Sequence, residues 1–130
     1  MKLQLKKVAN QPSWILRSKD VELAVTQLGG QMAPVTFYRN AAKGIQPYYI
    51  SPWQSEDVKL SEPVLVPLRG DFFCMPFGVG GAYRGEQYVV HGAPATRRWS
   101  SGRVTQRGRP LTSNEATEAT YSDNLGNARS

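Results

Sequence analysis

The sequence predicts an all-β fold, a partial antiparallel β-sandwich built from short strands. Apolar residues alternate with polar ones over short stretches, which is the period-2 pattern of half-buried strands. Glycine and proline interrupt these stretches roughly every 8–12 residues, as turns between short strands do. No stretch before residue 100 keeps the helical apolar period over several turns. These observations favour strands over helices throughout the first part of the chain.

Four strands are predicted before residue 40, separated by turns. They are Lys2–Lys6, Trp14–Ser18, Val21–Thr26 and Gln31–Tyr38. Asn10–Ser13 is typical of a turn and Lys19-Asp20 of a tight reversal. Gly29-Gly30 permits a positive φ or a bulge. Pro34 lies inside the fourth strand and indicates an edge strand or a bulge.

The middle of the chain predicts less regular elements. The aromatic segment Tyr48–Trp53 either covers one end of the core or offers a stacking face for a sugar ring. Ser55–Leu60 is compatible with a short turn of helix. Val64–Leu68 predicts a strand interrupted by a proline, and Tyr83–Val90 predicts another strand.

Charge and composition limit the classes of partner. The formal net charge is +6, a value that is compatible with binding to nucleic acid. The basic residues are scattered among acidic ones, however, so a solvated basic surface is favoured and nucleic acid is not. No apolar run approaches the ~20 residues of a membrane span, and the N-terminus lacks the pattern of a secretory signal. The single Cys74 fits a reducing compartment, and a cytoplasmic location is predicted.

The composition changes near residue 100. Residues 1–99 are predicted to form the β-sandwich. Residues 100–130 are rich in Ser, Thr, Gly, Asn and Arg and contain few large apolar side chains. Such a segment buries too little surface to offset its ordering entropy, so a disordered tail is predicted.

The candidate site residues lie around the stretch Leu68–Gly78 and at His91. Arg69 is suited to donate a forked pair of hydrogen bonds to a sugar hydroxyl or phosphate, or else to pair with Asp71 or stabilise a turn. His91 is suited to act as an acid near neutral pH, or else is a turn histidine at the end of a strand. Cys74 is interpreted as a small buried hydrophobe. One histidine and one cysteine are too few for metal-ligand spacing, so no metal site is predicted.

The order of these features resembles the N-terminal part of the galactose mutarotase-like superfamily, the fold of aldose 1-epimerases. The resemblance covers roughly residues 14–99 and rests on three motifs. These are Val21–Met32 with its Gly-Gly bend, Arg69–Gly78, and His91-Gly92 followed by Trp99. It implies a carbohydrate-binding protein without a cofactor, with Arg69 and His91 binding a small sugar or sugar derivative and His91 as the catalytic acid.

The chain lacks the second half of that family's site. Mutarotation needs an acid and a base on opposite sides of the sugar, and the family's second histidine and carboxylate base have no match here. We therefore expect a truncated or frame-shifted product without full epimerase activity. An alternative is an interaction or structural β-protein that associates with itself or a partner through exposed strand edges.

Overall fold

The computed structural model describes residues 3–101, which form one four-stranded antiparallel sheet and a separate two-stranded hairpin. The strands of the sheet are β1 (Leu5–Val8), β2 (Gln11–Arg17), β3 (Val21–Thr26) and β4 (Met32–Phe37). The hairpin consists of β5 (Gly81–Tyr83) and β6 (Glu86–Tyr88). Three short 3₁₀ helices lie at Pro52–Ser55, Pro63–Leu65 and Ala93–Ala95.

The large sheet is a meander in which each strand pairs with the next one along the chain. All three pairings are antiparallel, and residues 3–101 contain no α-helix. The mostly β, antiparallel architecture predicted from the alternating pattern is therefore confirmed. The strand β3 has the bounds that the sequence predicts.

The first hairpin turns earlier than its sequence suggests. Ala9 and Asn10 both have positive φ, 42° and 65°, and form a two-residue loop between β1 and β2. A loop of this length with two positive φ angles matches the twist of the flanking strands. Pro12 lies within β2 opposite Lys7. The predicted turn at Asn10–Ser13 is thus wrong, because Asn10 supplies the left-handed conformation and the proline is accommodated near the start of a strand.

A bulge in β4 contains Pro34. Leu23 pairs with Val35, whereas Val25 pairs with Met32, so β4 has one more residue than β3 over this stretch. A bulge tolerates the missing N–H of proline. Both interpretations of Pro34 are confirmed, because β4 also lies at the edge of the sheet.

The predicted strand at Val64–Leu68 is wrong. Pro63–Leu65 forms a 3₁₀ helix, and Val66 continues with helical dihedral angles. Prolines at positions 63 and 67 lack the N–H groups that a sheet ladder needs. Side chains instead supply donors to four consecutive carbonyls, from Gln31 to Val64, Trp53 to Leu65, Gln54 to Val66 and Arg69 to Pro67.

Two further predictions need correction. The helical turn is found at Pro52–Ser55 rather than at Ser55–Leu60, because proline is favoured at the first position of a helix. The predicted strand Tyr83–Val90 is interrupted by the turn Arg84-Gly85, whose residues have φ of 48° and 82°. These residues close the hairpin β5–β6 instead of continuing a strand.

The core is small and partly polar. Trp14, Ala24, Ala33 and Val35 of the sheet are buried. Ser13 and Thr26, which lie opposite each other on β2 and β3, are fully buried as well. Within residues 3–101, no helix has the length and apolar character needed to cross a membrane. The predicted tail lies, from residue 102 onward, outside the described residues.

Candidate functional site

Arg69 is a buried residue whose guanidinium bonds to the protein itself. Only 2% of it is exposed. Nε donates to Pro67 O (3.0 Å), Nη1 to Val8 O (2.9 Å) and Nη2 to Ala9 O (2.8 Å) and Gln54 Oε1 (3.0 Å). Three of these four hydrogen bonds join Arg69 to the first hairpin and to Gln54. Burial lowers the pKa of Arg69 to about 10, and the side chain stays charged at neutral pH.

A polar network surrounds Arg69. The backbone N–H of Arg69 donates to Gln31 Oε1 (2.8 Å), and Gln31 Nε2 donates to Val64 O (3.1 Å). Gln54 Oε1 also accepts from Gln11 Nε2 (3.2 Å). Gln31 and Gln54 are both buried. These bonds supply the partners that buried polar groups require, and they hold the irregular segment Pro63–Arg69 against the sheet.

His91 lies in a different environment, next to aromatic rings. Its ring meets Phe72 edge-on at a centroid distance of 5.8 Å and Phe77 at 6.0 Å. Its backbone N–H donates to Gly78 O (2.9 Å) and its φ is 60°. Nδ1 is buried without a hydrogen-bond partner among the described residues. The left-handed φ matches the interpretation of His91 as a turn residue.

The two predicted sugar-binding residues have different neighbours. Arg69 contacts the first hairpin and two glutamines, whereas His91 contacts Phe72, Phe77 and Gly78. Within the described residues, Arg69 forms no ion pair with Asp71. A sugar bound by Arg69 would have to replace hydrogen bonds that now join parts of the fold. The geometry favours the turn-stabilising alternative, and sugar binding by Arg69 and His91 stays a prediction.

The interpretation of Cys74 as a buried hydrophobe is wrong, because Cys74 is only half-buried. In the aromatic segment, Trp53 matches the covering role, whereas Tyr49 is largely exposed. Cys74 is a free thiol, and its pKa is raised by burial and by the negative charge of Asp71, which keeps it protonated at neutral pH. Trp53 Nε1 donates to Leu65 O (2.8 Å), as expected for a covering role. Residues 3–101 contain no group of three or more His, Cys, Asp or Glu placed to hold a metal ion.

A row of exposed apolar side chains follows the buried Arg69. Phe73 is 52% exposed, Met75 63%, Phe77 85% and Val79 88%. These four residues, called here the apolar strip, alternate with Cys74, Pro76 and Gly78. No charged residue occurs between Phe72 and Tyr83. Single exposed apolar residues are common, but an uncharged row of four is typical of an interaction surface.

A cleft of about 280 Å³ lies beside the apolar strip. Its apolar walls include Val64, Val79, Val89 and Val90, and we call it the valine cleft. Glu62, Gln87 and Tyr88 also line it. Val79 belongs to both the apolar strip and the valine cleft, so the two features are continuous.

No family model, curated protein or solved structure matches this chain.

Sequence reasoning missed the apolar strip as a surface. The sequence predicts that Phe72, Phe73 and Phe77 point toward the core, yet Phe73 and Phe77 are exposed. The alternation of large apolar residues at positions 73, 75, 77 and 79 was the available signal. Because a buried face and an interaction face give the same pattern, the sequence alone does not separate them.

Proposed function

We propose that this chain is an interaction protein of the all-β class that binds a protein surface through the apolar strip. The observation that supports this best is the exposure of Phe77 and Val79, at 85% and 88%. Burying a side chain of this kind contributes about 1.5–3 kcal/mol. A partner that covers the strip therefore gains binding energy without displacing any charged group.

The apolar strip is a better candidate than the sheet edges. The outer side of β4 is partly occupied, since Met32 bridges to Asp71 and Phe37 to Ile45. The strand β1 pairs with β2 alone among the described residues, but Lys6 and Lys7 lie on it. Lysines on an edge strand discourage pairing with another chain. We therefore propose that the interaction protein associates through the apolar strip and not through exposed strand edges.

Site-specific photocrosslinking in the native cell tests the proposed function. The photoreactive analogue p-benzoylphenylalanine is placed at Phe77, and at Tyr38, which is 64% exposed at the far end of β4, as a matched control. We expect a protein adduct mapped to position 77, absent at position 38 and weakened by Met75→Ser. If no adduct, with itself or another protein, forms at position 77, the proposal is wrong.

Carbohydrate binding by a mutarotase-like domain is the second candidate. The valine cleft supports it, because Glu62, Gln87 and Tyr88 offer a carboxylate, an amide and an aromatic ring to a sugar. Saturation-transfer NMR with a panel of hexoses tests this. Transfer to a hexose that is lost in Gln87→Leu would support binding at the cleft, and no transfer from any hexose would count against it.

A further inference from the structure

Phe77 has the properties of an interface anchor. Its ring is 85% exposed and has one ring contact in the described residues, with His91 at 6.0 Å. Aromatic side chains that enter a pocket on a partner dominate the energy of many interfaces. Phe77 requires a pocket that is apolar and large enough for a phenyl ring.

The valine cleft meets both requirements. A cavity of about 150 Å³ lined by apolar side chains is enough to hold benzene, and the cleft measures about 280 Å³. Its apolar wall is formed by Val64, Val79, Val89 and Val90, and Glu62, Gln87 and Thr96 also line it. Phe77 itself is not among the residues that line it, so the ring stands outside the cleft of its own chain.

The anchor and the cleft lie next to each other on one chain. Phe77 and Val79 are two positions apart, both are exposed, and Val79 is part of the cleft. In a two-fold symmetric dimer, each copy presents the same patch to the other. We propose that two copies of this chain pair reciprocally, each inserting Phe77 into the valine cleft of the other. This inference rests on the proposed function and names the partner.

Area favours a second copy, and the absence of charged residues from Phe72 to Tyr83 permits it. The exposed parts of the apolar strip, Tyr83 and Val89 amount to roughly 800 Å², taking about 200 Å² for each side chain. Each partner in a standard interface buries about 800 Å². The chain carries a net charge of +6, so copies repel each other over most approaches. The uncharged stretch Phe72–Tyr83 is where that repulsion is weakest.

Light scattering of the purified full chain over a concentration series is the first test. We expect a dimer that dissociates on dilution, and a dissociation constant raised about tenfold or more in Phe77→Ala. Val89→Arg, which places a charge in the cleft, is expected to weaken the dimer as strongly. Tyr38→Ala, at the exposed end of β4 away from the strip, is the matched control and should dimerise like the unchanged chain. Thermal melting by circular dichroism checks that the variants are folded.

Mixing the two variants tests reciprocity. Phe77→Ala keeps an open cleft, and Val89→Arg keeps the ring. Each variant alone has no ring-in-cleft contact, whereas the mixed dimer regains one. We expect more dimer in the mixture than in either variant alone. A mixture that shows no gain overturns the reciprocal insertion.

The outcomes separate this inference from the proposed function. An unchanged chain that stays monomeric to about 100 µM, a range in which weak dimers form, overturns self-pairing. The proposed function then still stands if an adduct at position 77 contains another protein. If no adduct forms at all, both are wrong.

Discussion

The Arg69 guanidinium connects parts of the chain that are far apart in sequence. Its donors reach Val8 and Ala9 in the first hairpin and Gln54 in the first 3₁₀ helix. A charged donor bonded to several carbonyls is stronger than a neutral one. The side chain expected to bind a ligand thus stabilises the fold in the described structure.

Replacing Arg69 should strongly destabilise the fold. In Arg69→Met, the acceptors at Val8, Ala9, Pro67 and Gln54 each lose a donor, and a buried group without a partner is costly. We expect the free energy of unfolding, measured by urea denaturation, to fall by about 2–4 kcal/mol.

The matched control is Arg17→Met. Arg17 is exposed and pairs with Glu22 at the surface. Surface pairs contribute little, so we expect a change within about 0.5 kcal/mol. Equal losses in the two variants would contradict the structural role of Arg69.

At the scale of elements, the segment that carries the apolar strip is fixed at both ends by glycines. A Cβ on Gly70 would lie 1.9 Å from Met32 O, and a Cβ on Gly92 would lie 2.0 Å from Met75 O. Both residues have positive φ, 47° and 80°. With glycine at these two positions, the backbone approaches Met32 and Met75 more closely than any residue with a Cβ would allow. This contact places the strip beside β4.

Gly70→Ala should separate the strip from the sheet. The added methyl collides with a backbone carbonyl that cannot rotate away, and the residue is also strained at positive φ. We expect a loss of about 3 kcal/mol or more in the free energy of unfolding.

Gly85→Ala provides the comparison for this prediction. Gly85 has a φ of 82°, but a Cβ there meets no atom within 4 Å. The strain at positive φ alone costs about 1–2 kcal/mol. If Gly70→Ala and Gly85→Ala lowered the free energy of unfolding equally, the close approach at Gly70 would not contribute to stability.

The elements differ in how far their sequence predicts them. The strands β1–β4 follow local alternation and local turns, so their existence could be predicted. The segment Pro63–Leu65 could not, because its carbonyls bond to side chains such as Gln31 and Trp53, which lie 33 and 12 residues away. The burial of Arg69 depends on the same distant partners. A local pattern holds no information about them.

At the scale of the whole molecule, the described residues combine the meander β1–β4 with a second region, around the hairpin β5–β6, that is more exposed to solvent. The hairpin β5–β6 is exposed over most of its length, and two strands alone are marginally stable in water. The strip and the cleft lie beside this hairpin. Pairing of two copies would cover this exposed region.

We expect no aldose mutarotation well above the buffer rate. The reaction needs an acid and a base that face one sugar. Within the described residues, the neighbours of the His91 ring are Phe72 and Phe77, and Arg69 is bonded to backbone. Polarimetry of freshly dissolved glucose with the full chain measures the rate. A clear acceleration that is lost in His91→Ala would contradict this expectation and restore the epimerase interpretation.

The bonds of Arg69 also act as a cross-link. They connect residues 61 and 60 positions apart, a loop of the length that disulfides close in small secreted proteins. With a single cysteine, the chain cannot form an internal disulfide. Unlike a disulfide, these hydrogen bonds do not depend on the redox potential, and they are lost when the chain unfolds. They therefore stabilise the native state directly and leave the unfolded chain unconstrained.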